Sequence, residues 1–231
     1  MASVVTLCNL ALSHLGDRAT VSSIDPPEGS AQADHCAQFW PIARDEALSS
    51  EDWRFVSTVA PLVAVDDTLQ IDTRWRYGYV VPADFLVARE LVFTSGATIQ
   101  LEPGSPLWEL GTLASGAPII FTNYEDVALR YTRRIADPNR YPPRFGTALS
   151  YLLASYLAGP VVKGKTGAQA STTARSMWDK LRGEASVTDA NQAKTSSAFT
   201  PSGLRARGDA SGEGRTIEDG TARRELPFWA Q

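Results

Sequence analysis

From Ser3, the apolar positions Val4, Leu7, Ala11 and Leu15, widened by Leu10 and Leu12, recur at the spacing of a helix packed on one side. Gly16 follows where a glycine ends such a helix. The next stretch holds Ile24-Asp25-Pro26-Pro27-Glu28-Gly29, in which paired prolines forbid helix and glycine supplies a turn. Ser30 then caps a second helix, whose buried face is Ala33, Cys36, Ala37, Trp40, Ala43, Ala47 and Leu48. Pro41 lies inside it. Without an amide hydrogen, and clashing with the carbonyl four residues back, it predicts a kink or a break into two short helices.

At Trp53 the helical spacing gives way to short apolar runs: Trp53 to Val56, Ala60 to Val65, Tyr77 to Val81, Glu90 to Phe93, Thr98 to Leu101, Ile119 to Thr122 and Ala128 to Thr132. They are rich in β-branched and aromatic residues and separated by Gly, Pro, Asp or Asn, the signature of strands. Residues 53–134 therefore read as a small antiparallel β module.

Helical spacing returns after Pro142-Pro143, with Phe145, Leu149, Leu152, Leu153, Tyr156 and Leu157 on one face and Gly159-Pro160 as the stop. A fourth helix, from about Gly167 to Ala190, carries Ala170, Ala174, Met177, Trp178, Leu181 and Ala185 on one side and Arg175, Asp179 and Arg182 on another. Beyond Asn191 the chain is rich in Ser, Thr, Gly, Ala and Arg, with Phe199, Leu204 and Ile217 isolated, so it buries too little apolar surface to fold alone. Its end, Leu226-Pro227-Phe228-Trp229, concentrates aromatic surface suited to a partner's groove.

The pattern predicts an α+β fold: an antiparallel bundle of about four helices with an inserted small antiparallel β module and an extended C-terminal arm. The segments are 1–52 and 135–190 for the bundle, 53–134 for the insert and 191–231 for the arm.

Composition narrows the function. With 231 residues, 43% hydrophobic and 21% charged, the chain holds one ordinary domain and a minor module. A net charge of −4 argues against a protein that grips nucleic-acid phosphates. No run approaches ~20 consecutive apolar residues, so no membrane span is expected. Met1 to Leu15 lacks the basic start of a secretory signal, so the chain is expected to stay in the cytosol where it is made. Cys8 and Cys36 show no metal-ligand spacing and read as buried free thiols.

Several motifs invite chemistry. Gly159-Pro160-Val161-Val162-Lys163-Gly164-Lys165-Thr166 matches the phosphate-loop pattern letter for letter, with Leu62 to Asp66 as a conceivable magnesium-binding strand. That site requires a strand before the loop, whereas Leu149 to Ala158 has helical spacing, and a turn between helices is the plainer reading. His14 and His35 lie near no Glu or Cys at metal spacing, and His35 adjoins Asp34, which suits capping or the surface. Without a histidine base, Ser or Cys nucleophiles have no visible partner.

The acidic pairs Asp45/Glu46, Glu51/Asp52, Asp66/Asp67 and Glu125/Asp126 are adjacent, so the two side chains of each diverge; solvation of helix ends and turns explains them better than acid–base catalysis. Arg74, Trp75, Arg76, Tyr77 and Tyr79 interleave cations with aromatics as some single-strand binders do, but strand alternation would place the arginines on one face and Trp75, Tyr77 and Tyr79 on the other, as in an ordinary half-buried strand. Arg207-Gly208-Asp209 is a chance tripeptide in a Gly/Arg-rich tail. No catalytic, cofactor or metal residue is therefore expected.

Three blocks carry a resemblance. Cys36-Ala37-Gln38-Phe39-Trp40-Pro41-Ile42-Ala43-Arg44-Asp45-Glu46-Ala47-Leu48 is followed by Trp53-Arg54-Phe55. Tyr77-Gly78-Tyr79-Val80-Val81-Pro82-Ala83-Asp84-Phe85-Leu86 comes next. Leu129-Arg130-Tyr131-Thr132 with Asp137-Pro138 then leads into the apolar helix. In order and spacing, over roughly residues 1–195, they resemble the head-to-tail adaptor proteins of tailed bacteriophages, the tail tubular protein A of short-tailed phages among them.

The resemblance implies a non-enzymatic virion protein without a cofactor. It would be assembled in the host cytoplasm as a closed ring, typically of twelve copies, at the head-tail junction. The implied partners are the portal protein, a downstream nozzle-type tail protein and the chain itself, with DNA passing through the lumen without specific binding. The arm is the implied attachment element, its docking residues Leu226, Pro227, Phe228, Trp229, Phe199 and Leu204. The alternatives are a phosphate-loop nucleotide-binding enzyme using Lys165 and Thr166, and a DNA-binding packaging accessory protein.

Overall fold

The computed structural model describes residues 3–18, 20–65, 74–93, 107–113 and 115–192, all within one compact unit, residues 1–193. The chain is α+β. Among the described residues, two helices, α1 (Val4–His14) and α2 (Ala31–Ser49), precede seven strands: β1 (Ser57–Pro61), β2 (Val63–Ala64), β3 (Tyr77–Val80), β4 (Phe85–Phe93), β5 (Glu109–Thr112), β6 (Pro118–Thr122) and β7 (Val127–Arg133). Two further helices, α3 (Pro143–Val162) and α4 (Gly164–Ala190), close the described part.

Local chemistry sets the helix limits. Ser3 and Ser30 cap α1 and α2 by accepting the amide hydrogens of Thr6 and Ala33. Gly16, at φ +77°, ends α1: its amide reaches the Ser13 carbonyl and that of Asp17 reaches Leu12, satisfying carbonyls that the helix leaves unpaired. Asn9 fastens the following loop by exchanging two hydrogen bonds, of 2.9 and 2.7 Å, with the Val21 backbone. The helix α2 runs through Pro41 without a break; Pro41 is exposed, and Ala37 is half-buried rather than buried.

The bundle is built around α3, which touches α1, α2 and α4. Its core includes Leu7, Leu12, Trp40, Leu48, Trp53, Phe145, Leu152, Leu157 and Trp178. At 20 residues α3 is long and apolar enough to cross a membrane by length and composition, contrary to the expectation that no segment is, yet most of it is buried among its neighbours. An apolar helix enclosed on several sides is also what the centre of a bundle requires.

The strands form two antiparallel sheets, β1-β7-β4 and β2-β3-β6-β5. Val127, Leu129 and Tyr131 of β7 share a core with Leu91 of the first sheet and Tyr79 and Ile120 of the second. Residues on the other parity of β7 turn away from it: Thr132 accepts a hydrogen bond from Arg89 at 2.9 Å, and Arg130 meets Asp52.

Several boundaries depart from the sequence expectation. Residues 54–56 form a 3-10 turn rather than a strand, because Trp53 and Phe55 plug the helical core: the Trp53 indole donates to the Ala47 carbonyl at 2.9 Å and meets Phe145 edge-on. The run 60–65 is divided between β1 and β2, and β4 begins at Phe85 rather than Glu90. Strand β5 has too little apolar character to have been foreseen, and it joins the sheet through its backbone ladder with β6. The predicted strand 98–101 lies outside the described residues.

Gly159-Pro160 does not stop α3, which continues to Val162 and ends where Lys163 takes φ 58°, ψ 162°. Proline removes an amide hydrogen without forbidding the last helical turn, so the stop comes from the reversal at Lys163. The next helix starts at Gly164, not Gly167.

Candidate functional site

The buried stripe of α4 runs Ala174, Trp178, Ala185, and then Asp189, an acid where the helical period calls for an apolar residue. Asp189 is only 4% exposed. Its Oδ2 accepts the Arg54 amide hydrogen at 2.5 Å, fixing the turn that carries Trp53 and Phe55 to the last turn of α4. Its Oδ1, itself buried, has no hydrogen-bond partner among the described residues. A buried carboxylate oxygen left unpaired is costly, so the position asks for an explanation beyond packing.

Asp189 lines a cavity of about 300 Å³ walled by Trp53, Phe55, Pro142, Pro143 and Phe145, with Arg144 and Gln192 also contributing. The aromatic wall is self-supporting: Phe145 meets Trp53 at 5.1 Å and Phe55 at 4.9 Å between ring centroids. Of the two charged side chains in the lining, Arg144 faces Glu184 at 3.8 Å, while Asp189 meets no cation among the described residues. Sequence reasoning missed Asp189; its signal was an acid four residues beyond Ala185 on an otherwise apolar stripe.

The phosphate-loop lookalike is an αα corner. Gly159 to Val162 complete α3, Lys163 turns the chain, and Gly164, Lys165 and Thr166 open α4. The amide of Lys163 is bonded to the Gly159 carbonyl at 3.1 Å and that of Gly167 to Lys163 at 3.0 Å. Val63–Ala64 is a two-residue strand at a sheet edge, paired with β3, and Asp66 lies outside the described residues.

His14 stacks on Tyr151 at 3.8 Å and shares a 3.0 Å hydrogen bond with Ser150, and burial lowers its pKa. His35 is half-buried on α2. Cys8 and Cys36 are free, buried thiols from neighbouring helices; the hydrogen bond that Cys8 donates to Cys36, together with burial, pushes the Cys8 thiol upward, away from the reactive thiolate. Among the described residues no cluster of His, Cys, Asp and Glu could hold a metal ion.

The acidic pairs require correction. Asp45/Glu46 and Glu51/Asp52 do diverge, but into ion pairs rather than solvent. Asp45 reaches Arg134, just past β7, at 2.9 Å, whereas Glu46 reaches Arg175 of α4 at 2.5 Å and accepts from Tyr156. Glu51 reaches Arg182 of α4 at 3.4 Å, whereas Asp52 reaches Arg130 of β7 at 2.9 Å. In both pairs, one acid ties α2 or its following loop to α4 and the other ties it to the β region. Arg89 completes this seam by donating to the Ser49 carbonyl at 3.3 Å and to that of Glu51. Glu125 accepts from the Tyr77 hydroxyl at 3.3 Å, and Asp66/Asp67 are outside the described residues.

The Arg/aromatic segment is also corrected. Trp75 precedes β3 and packs with Ile119 and Phe121, apart from the cluster that holds Tyr79, so the three aromatics do not share a face. The Trp75 indole donates to Glu109 at 3.2 Å and the Tyr79 hydroxyl to the Tyr124 carbonyl at 3.1 Å. Arg76 lies 5.4 Å from the Tyr77 ring. Arg207 to Asp209 and the docking residues Phe199, Leu204, Leu226, Pro227, Phe228 and Trp229 lie outside the described residues.

Compared with protein-family models and with curated proteins, the chain finds no match.

Proposed function

We propose that this chain is a ring-forming head-to-tail adaptor of a tailed bacteriophage, a non-enzymatic virion protein that joins the portal to the tail and lines part of the DNA conduit. The observation that carries the reading is the architecture: a bundle whose second and third helices are separated by a β region, followed after Gln192 by a segment of low apolar content. Together with the three sequence blocks, that order supports the family resemblance.

A closed ring needs two different patches on each subunit, and a helical bundle with a separate β region offers them. The net charge of −4 suits a conduit past which DNA slides without adhering. The proposed attachment element is the arm, through Phe199, Leu204 and Leu226 to Trp229, which would trade conformational entropy for interface on the portal. The downstream partner is a nozzle-type tail protein, and assembly in the host cytoplasm would place the ring at the head-tail junction.

Negative-stain imaging of the purified chain, alone and mixed with its portal, tests the reading: a ring of portal-like symmetry is expected. Cleavage of the arm by protease at equal rates with and without portal would count against it. The phosphate-loop alternative has less support, since a helix, not a strand, precedes Lys163. Steeply salt-dependent binding to duplex DNA would instead favour a packaging accessory role.

A further inference from the structure

The bundle and the β region keep separate cores. Val127, Leu129 and Tyr131 pack with Tyr79, Leu91 and Ile120, and Trp75, Ile119 and Phe121 form a smaller cluster. Among the described residues Leu86, near the start of β4, is the one strand residue that packs against the bundle core. The chain passes between the two parts at Ser57, entering β1, and after Arg133, leaving β7. Both crossings lie at one end of the first sheet beside Leu86, because Ser57 pairs with Thr132 and Phe85 with Arg133.

What fixes the angle between the parts is polar. The Arg89 side chain of β4 is 19% exposed. It donates to the Thr132 hydroxyl within its own sheet at 2.9 Å, and to the carbonyls of Ser49, at 3.3 Å, and Glu51 at the end of α2. No basic residue lies in the last turn of α2, so Arg89 supplies the cation that the free carbonyls of a helix end attract. Asp52 adds arms to Arg89 at 3.8 Å and to Arg130 at 2.9 Å, and Asp45 adds one to Arg134 at 2.9 Å. On the α4 side lies a crevice of about 510 Å³, lined by Ser186 and Ala190 of α4 and by Asp52, Arg54, Ser57 and Arg130.

We propose that this junction is a hinge: the β region pivots on Leu86 and the paired ends of β1 and β7, and Arg89 is the latch that holds it to the end of α2. The crevice gives the β region room to swing while each core stays intact. Asp52 is about half exposed, so its arms weaken at high ionic strength, whereas the bonds of the largely buried Arg89 to the carbonyls persist. Loss of Arg89 therefore loosens the joint more than salt does.

The test reads one distance across the joint in the full-length chain. Thr112→Cys on β5 and Lys180→Cys on α4 place spin labels at exposed positions, and Cys8 and Cys36 are buried from the reagent. Labelled chain is diluted with unlabelled chain, so that pulsed electron resonance reports pairs within one molecule. Arg89→Met should widen the distance distribution or add a second population, and raising salt from about 0.1 M to about 1 M should do so to a smaller extent in the chain that keeps Arg89. Should Arg89→Met fail to fold, Arg89→Lys keeps the charge but lacks the guanidinium fork, and should widen the distribution by less. A distribution identical to the parent's in a folded Arg89 variant would overturn the proposal. So would a change accompanied by lost amide protection along β4 and β7, which would mean that the sheets unfold rather than pivot. Neither outcome bears on ring formation, so the adaptor reading stands or falls separately.

Discussion

The αα corner makes a prediction in which the same substitution, at two places on one helix, changes stability in opposite directions. Gly167 lies in the first turns of α4, and a methyl group built on it would sit 2.9 Å from the Ala158 carbonyl oxygen and 3.6 Å from the Val162 carbonyl carbon. Both obstacles are backbone atoms of α3, so no side-chain rotation relieves them. Gly183, on the same helix, would meet nothing within 4 Å.

Replacing a helical glycine by alanine ordinarily gains about 1 kcal/mol from reduced backbone entropy in the unfolded chain. At Gly183 nothing opposes that gain, so Gly183→Ala should stabilise by ~0.5–1 kcal/mol. At Gly167 the helices must separate by roughly half an ångström, and overpacking of this kind costs about 1–3 kcal/mol. The net effect of Gly167→Ala should be destabilisation by ~1 kcal/mol, leaving a gap of about 2 kcal/mol between the variants. Urea unfolding followed by circular dichroism measures it, as a lower midpoint for one variant and a higher one for the other at similar slopes. If both midpoints rise, Gly167 is not the point of close approach and the packing reasoning is wrong.

Lys163 holds φ 58° and ψ 162°, a region populated almost only by glycine; Lys163→Gly should therefore stabilise by about 1 kcal/mol, a strain relief of ~1–3 kcal/mol less the added entropy of the unfolded chain, read as a higher urea midpoint. Burial lowers the His14 pKa below its ordinary 6.5, so the unfolded chain binds the extra proton first as pH falls. Stability should then decline from about pH 7 towards the folded pKa and level off beneath it, and His14→Gln should show a flatter profile over that window. Arg130 and Asp52 meet at 2.9 Å while about a third and a half exposed. A double-mutant cycle of Arg130→Met and Asp52→Asn should thus give a coupling of only ~0.5–1 kcal/mol, diminished at 1 M salt. Tyr131 donates to Asp84 at 2.8 Å, and burial with that hydrogen bond raises its pKa to about 12. Tyr131→Phe should cost about 1 kcal/mol without altering the sheet, as measured by unfolding and by amide exchange along β7.

The order of elements was legible because each rests on local rules. Ser3 and Ser30 cap helices wherever they precede an apolar period, Gly16 ends one, and the alternation around Tyr77 to Val80 makes a strand whatever surrounds it. Misreadings arose where a distant residue outweighed the local pattern. Trp53 and Phe55 looked like strand because they are aromatic, and they turn instead because Ala47, Phe145 and Asp189 hold them in the helical core. Strand β5 exists because β6 offers it a ladder, not because of its own residues.

The same division applies to the chemistry. Divergence of Asp45 from Glu46, and of Glu51 from Asp52, follows from backbone geometry alone. That each acid finds an arginine, one on α4 and the other in the β region, depends on contacts between residues as far apart as Glu46 and Arg175. By itself the sequence determined the helical and strand periods, the caps and the α+β class, because these are set by neighbours within a few residues. Only the tertiary structure decided that the phosphate-loop letters form a helix corner and that Asp189 is buried beside the turn carrying Trp53 and Phe55. Both depend on which elements come to lie side by side, and no short-range periodicity specifies that.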